Sequence, residues 1–362
     1  MAATLKGSPG DGVEAAAELE HRVRVALRAW PAAVLAVYYH YFHGHAEALA
    51  ACANGGGEDP GAVCLPGMPP LPPDALPSVV SITSPEHRHY LLLDLLRDLF
   101  LSLDEHRPMV LVNTFDALER DALRAVPELE VAAVGPVVPA AGDAPPSSAD
   151  LLHRQDAKAA AAVMEWLDAK PARSVVYVSF GSVLSLSERQ EEEMQRGLDA
   201  TGRPYLWVAR KKAAGSGDGA SPADGGEGDA GARGLVVEWC DQVRVLSHAA
   251  VGCFVTHCGW NSTLESMARG VPMVAVPQWT DQPTVAWLVE ARMGAGARAR
   301  VDGEGVVERG ELRRCVEAVM GGGGEAARGI RERSERWREL ATEAVAPGGT
   351  SETKLRAFAS AG

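Results

Sequence analysis

The sequence predicts an α/β protein built on parallel sheets and divided into two domains. Its 362 residues exceed what one ordinary hydrophobic core organises. From Ser174 onward, short apolar runs alternate with helix-length amphipathic segments, the pattern of βαβ units. The stretch PAAGDAPPSSAD over 139–150 has the composition of an interdomain linker. The expected organisation is a first domain over 1–140, a second over 141–345, and a closing helix over 346–362 that can cross back to the first.

In the first half, VRVAL, AVLAVYY, MVLVNTF and VAAVGPVV read as strands, and HRHYLLLDLLRDLFLSL as an amphipathic helix. Between them CLPGMPPLPPDALPSVV is held to loop and turn by its prolines. In the second half, SVVYVSFGS is a buried strand ending in a Gly-Ser turn. LSERQEEEMQRGLDA follows as a helix, with Ser187 as N-cap and Gly202 just past its end. PYLWVAR is the next strand. Residues 211–234 hold hardly any bulky apolar side chain and read as a flexible surface insertion. Strand and helix then alternate through LVVEW, QVRVLSHA, GCFVTH, STLESMAR, PMVAVP, TVAWLVEA, GARAR and a helix near 307–319, before two C-terminal helices.

Hydrophobic residues make up 46% and charged residues 23%, the balance of a soluble globular chain. A net charge of −13 argues against nucleic acid or an anionic membrane as partner. It leaves room for a small anion, because a helix N-terminus acts locally. The six cysteines are scattered without a C-x-x-C pair and read as reduced thiols. No signal peptide and no membrane-length apolar run are recognised, so the expected compartment is the cytoplasm.

The chemistry concentrates in GCFVTHCGWNSTLESMARGVPMVAVP, read as strand, tight turn, helix, strand. His257 stands at the carboxyl end of the strand, where open α/β sheets bind ligands. Gly259 lets the backbone approach whatever is bound. Asn261 and Ser262 lie in the first helical turn, whose unpaired N–H groups and positive dipole end suit a pyrophosphate. Other readings stay open. Ser262 and Glu265 form S-x-x-E, a capping box that needs no ligand. His257 could be an ordinary strand-end histidine, Trp239 and Trp260 could be packing residues, and Asp281 could cap the next helix.

With EWCDQVRVLSH on one flank and PQWTDQ on the other, Trp239 to Gln282 resembles, without a gap, the signature box of plant UDP-dependent family 1 glycosyltransferases. The resemblance implies the GT-B fold, two Rossmann-like domains facing each other, here with the N-terminal one incomplete. It implies that Trp239 stacks on uracil, the Cys240 backbone bonds the base edge, and Gln242 and Glu265 hold the ribose hydroxyls. His257, Asn261 and Ser262, with Ser182 from SFGS, would grip the phosphates. Trp260, Asp281 and Gln282 would surround the sugar. A final glutamine is similar to the glucose-preferring version of the box. The co-substrate implied is UDP-glucose, with no other cofactor and no metal, and the sequence has no D-x-D pair.

Catalytically, the family uses an N-terminal histidine as base, oriented by an aspartate. Neither is found here: ALRAWPAAVLAVYYHYFHGH resembles a segment that normally follows both, and His21 lies at the wrong end of its strand. The expectation is a shortened chain whose catalytic residues are unknown. YYHYFHGHAEAL brings His40, His43 and His45 together as an aromatic wall near the acceptor pocket, with a metal site as the alternative. GAGARA precedes a strand instead of following one, so it is not a dinucleotide fingerprint.

The first functional expectation is transfer of glucose, with inversion, to a hydroxyl or carboxyl of a small lipophilic acceptor such as a flavonoid or hormone. Segment 30–78 resembles the anthocyanin 5-O-glucosyltransferase-like group. The second is a UDP-sugar-binding protein that no longer transfers. The third, a UDP-sugar epimerase on the same plan, is opposed by the complete box.

Overall fold

The computed structural model describes residues 26–27, 30–55, 61–139, 157–181, 186–209 and 233–360. His21, Ser182, and the insertion up to residue 232 lie outside the described residues, as does the linker beyond Pro139. The chain forms two compact units. Unit 1 comprises 1–137, 279–284 and 340–362; unit 2 comprises 138–278 and 285–339.

Unit 2 is built on a six-stranded, wholly parallel sheet. Its strands are β4 (Val175–Ser179), β5 (Tyr205–Val208), β6 (Gly234–Val237), β7 (Val251–Thr256), β8 (Met273–Ala275) and β9 (Gly296–Arg298). Their order in the sheet is β6-β5-β4-β7-β8-β9. All five residues of β4 and all six of β7 are buried, so both strands read as apolar runs without alternation. Helices α6 (Glu188–Thr201) and α10 (Arg309–Met320) pack together at Gly197, where a Cβ would come within 2.8 Å of Leu312 Cδ2. Ser187 caps α6 by accepting the Gln190 N–H at 3.2 Å, and Gly202 ends it at φ +66°. Val176, Val178, Met194, Leu198, Val255 and Leu312 form the centre of the core.

Unit 1 holds a smaller parallel sheet in the order β1 (Ala26–Leu27), β2 (Val110–Val112), β3 (Val131–Ala133). The expected strand at AVLAVYY is instead helix α1 (Ala32–His40). All nine of its residues are buried, and a helix covered on every side carries no amphipathic period to read. Alanine content favours the helix, and Pro31 starts it. Glu119, itself buried, closes the start from a distant part of the chain. Its two carboxylate oxygens accept the N–H groups of Ala32 (3.0 Å) and Ala33 (2.9 Å). Burial pushes this carboxyl upward, against the helix N–H groups that pull it down.

Helix α3 (Tyr90–His106) buries Leu93, Leu96, Phe100 and Leu103 at helical spacing. Leu91, Leu95 and Leu101 lie on its exposed side. The C-terminal helix α12 (Thr350–Ser360) is tied within unit 1 by Ser351 Oγ donating to Gly135 O at 2.6 Å and by Lys354 paired with Asp116 at 2.5 Å. Among the described residues, no helix is long and apolar enough to cross a membrane.

Replacing Glu119 with alanine leaves two buried helix-start N–H groups without an acceptor. Equilibrium unfolding should show a loss of about 2–4 kcal/mol, with a smaller loss for Glu119→Gln, which keeps one acceptor oxygen.

Candidate functional site

Between β4 and β7 the strand order reverses, one side of the sheet running back through β5 and β6, the other forward through β8 and β9. Connections on the two sides diverge here and leave a crevice at the carboxyl ends of the strands. β4 delivers Phe180 and Gly181 to this point, and β7 delivers His257. Gly181 takes φ +71°, and a Cβ on it would stand 2.9 Å from His257 Cε1. A Cβ on Gly259 would stand 2.6 Å from His257 Nε2. The two glycines therefore make room for the imidazole itself.

Cys258 between them is buried at φ +63°, a conformation L-residues adopt with strain. Thr256 Oγ1 accepts its N–H at 3.2 Å and holds the turn. His257 Nδ1 is buried with no hydrogen-bond partner. Burial depresses this imidazole to about 4, opposed by a backbone contact with Ser179. At neutral pH the ring is uncharged, so it can serve an anion as a hydrogen-bond donor and not as a cation.

Helix α8 (Trp260–Met267) starts at Gly259, and no side chain caps it. Asn261 and Ser262 are its second and third residues; Asn261 is exposed and Ser262 half-buried. The alternative reading of S-x-x-E as a capping box is not realised, because Ser262 is inside the helix instead of at its cap. Glu265 is engaged elsewhere. Helix α7 (Gln242–Leu246) is capped by Asp241, whose Oδ1 accepts the Arg244 N–H at 3.0 Å, and this places Gln242 at its first position. Gln242 Nε2 donates to Ser262 Oγ (3.0 Å) and to Glu265 Oε2 (2.7 Å), joining α7 to α8. Burial raises the Glu265 carboxyl, while Gln242 and the charge of Arg269 pull it down.

Tyr177 completes the network and was missed in the sequence, where it sits inside an apolar strand. Its hydroxyl donates to Gln242 Oε1 at 3.2 Å and lies 3.4 Å from Cys240 Sγ, while its ring stacks on Phe254 at 4.9 Å. The one signal available was the phenol itself, since a buried Tyr hydroxyl requires a partner. Burial pushes the Cys240 thiol up to about 12, so it stays protonated. Trp239 follows β6 and is half-buried. Trp260 is only 2% exposed, so its indole packs inside and is not available to a sugar.

Asp281 and Gln282 are both buried and are counted with unit 1. Gln282 Oε1 accepts the Trp279 N–H at 3.1 Å, and Asp281 Oδ1 lies 2.8 Å from Thr280 Oγ1. Also in unit 1, His40 Nε2 lies 3.1 Å from Pro66 O, and His43 stacks on Tyr39 at 3.8 Å with its Nε2 toward Asp104. These rings are committed to protein partners. Among the described residues, no group of three or more His, Cys, Asp or Glu is placed to hold a metal ion.

The UDP-glucoronosyl and UDP-glucosyl transferase family profile matches residues 146–322. Anthocyanidin 3-O-glucoside 5-O-glucosyltransferase 1 of Perilla frutescens is 44% identical over 335 residues, covering 91% of this chain and 70% of that protein. The chain belongs to the UDP-glucoronosyl and UDP-glucosyl transferase family. Indole-3-acetate beta-glucosyltransferase of Zea mays is likewise 44% identical, covering 90% of this chain and 70% of that protein. Among solved structures, Os79 from O. sativa in complex with UDP and deoxynivalenol-3-glucoside is 32% identical with a TM-score of 0.73, covering 93% of this chain and 72% of that one. The present UDP-glycosyltransferase shares their GT-B class, each sheet parallel and flanked by helices. The reversal of strand order in its unit 2 is where that class of sheet takes a ligand.

The depressed His257 sets a pH signature. In the unfolded chain it titrates near 6.5, in the folded one at about 4, so protons favour unfolding as pH falls through that window. Urea unfolding should show up to about 3 kcal/mol lost from this group between pH 7 and 4. His257→Gln should flatten that part of the profile.

Proposed function

We propose that this chain transfers glucose from UDP-glucose, with inversion, to a hydroxyl or carboxyl of a small lipophilic acceptor. The observation that carries the reading is the Tyr177–Gln242–Glu265–Ser262 network at the switch point, which fixes hydrogen-bonding groups beside an uncapped helix start.

In this reading Trp239 stacks its indole on uracil, and the backbone at Cys240 bonds the base edge. Glu265 accepts from the ribose hydroxyls, with Gln242 beside it, a charge-assisted pairing; burial pushes the carboxyl upward, and Gln242 and Arg269 oppose that shift. Asn261, Ser262 and neutral His257 donate to the diphosphate, aided by the dipole of α8, and Ser182 is assigned to the same group. Asp281 and Gln282 are assigned the sugar hydroxyls. When the acceptor oxygen attacks the anomeric carbon, the bond to the diphosphate breaks and its electron pair leaves with UDP. The donors around the diphosphate stabilise the charge that develops there. The base that takes the acceptor proton is not assigned among these residues.

The relatives support the acceptor class, since their names give an anthocyanidin glucoside and indole-3-acetate as substrates. A flavonoid or hormone-like acceptor, within plant secondary metabolism, is the corresponding proposal here. The cytoplasm is the proposed compartment, in keeping with six free cysteines. The reading invokes no metal and no cofactor, with UDP-glucose as co-substrate.

UDP at a hundred times its Kd should stabilise the folded chain by about 2.7 kcal/mol and raise the Tm by several degrees. Trp239→Ala should abolish the rise while leaving the unliganded Tm within a few degrees. UDP release from UDP-glucose with a panel of phenolic and carboxylic acceptors then reads transfer. A Tm rise with no turnover would leave a UDP-sugar binder and remove the transferase reading.

A further inference from the structure

Thr280 takes φ +56°, the left-handed region that a β-branched residue enters only under restraint. Its neighbours are the residues assigned above to the sugar. The restraint comes from a distant turn in the proline-rich segment of unit 1. Pro77 starts a 3₁₀ turn over Ser78–Ser81, which leaves the Ser78 N–H outside the turn's own bonding. That N–H donates to Thr280 O at 2.8 Å, and Ser78 Oγ accepts the Thr280 N–H at 2.7 Å. Ser78 thus grips both backbone polar groups of the strained residue. A second tie lies one helical turn further, where Thr284 Oγ1 donates to Ala75 O at 2.7 Å. Thr280 Oγ1 stands 2.8 Å from both Trp279 O and Asp281 Oδ1, so the orientation of Thr280 sets that of Asp281.

We propose that Ser78 is a positioning residue for donor-sugar recognition, locking Thr280 in its left-handed conformation so that Asp281 and Gln282 are presented in one fixed arrangement. Ser78 touches neither nucleotide nor sugar in this account. The inference rests on the assignment of Asp281 and Gln282 to the sugar, and nothing in it concerns uracil, ribose or diphosphate.

The test compares calorimetric binding of UDP and UDP-glucose by the full chain and its variants. Ser78→Ala removes the acceptor of the Thr280 N–H and keeps the Ser78 N–H bond. UDP-glucose affinity should fall about tenfold as Thr280, no longer held, relaxes from its strained left-handed conformation, while UDP affinity stays within twofold. Ser78→Thr, which keeps the hydroxyl, should restore UDP-glucose binding. In the Thr280→Gly background, where glycine takes φ +56° without strain, Ser78→Ala should lose most of its effect. Equal losses for UDP and UDP-glucose, no loss for either, or the same loss in both backgrounds would overturn the proposal. If Ser78→Ala does not accumulate folded, Ser78→Cys, with its weaker acceptor, carries the same comparison. Failure of the wild-type chain to bind UDP would instead defeat the functional reading beneath it.

Discussion

Everything at the crevice of unit 2 depends on one topological constraint, the reversal of strand order between β4 and β7. A parallel sheet buried on both faces has no groove of its own; it gains one where successive connections part to opposite sides. That opening also tolerates little bulk. Gly181 and Gly259 both pack against the Nε2–Cε1 edge of one imidazole, and Cys258 takes a left-handed conformation where the chain turns into α8. The result is a helix that begins at the crevice with no side chain capping it.

The polar network on the other wall follows from burial. Tyr177 lies in a strand whose residues are all buried, and its hydroxyl must find a partner there. The partner is Gln242, which is thereby left with its amide nitrogen turned to Ser262 and Glu265. Three elements distant in sequence are fixed to one another by a single side-chain amide. Such networks hold groups rigidly only when each member is satisfied, so Tyr177 belongs to the site although it meets no ligand in the reading given.

The second half of the chain was largely legible because its strands and helices carry their own punctuation. Ser187 and Gly202 bound α6 as cap residues should, and strand runs such as VVYVS need only be apolar to be read. Helix α1 was not legible: apolar on all sides, it lacks the period by which a helix is told from a buried strand. The closing of its start by Glu119, 87 residues away, has no local trace. Within the site, the positions of His257, Asn261 and Ser262 could be read from strand-turn-helix order. The partner of Glu265 could not, because S-x-x-E describes a capping box equally well and only the contact with α7 decides. The grip of Ser78 on Thr280 joins residues two hundred positions apart, beyond the reach of any sequence period.

The central claim is that the switch-point crevice holds a uridine nucleotide with Glu265 and Gln242 on its ribose. Calorimetric titration of UDP against 2′-deoxy-UDP, on the wild-type chain and on Glu265→Gln, measures this directly. The account predicts that the wild type binds UDP at least about tenfold more tightly than the deoxy analogue, the value of a hydrogen bond to a charged group, and that Glu265→Gln largely erases the difference. Equal binding of the two nucleotides by the wild type, or an unchanged preference in Glu265→Gln, would contradict it.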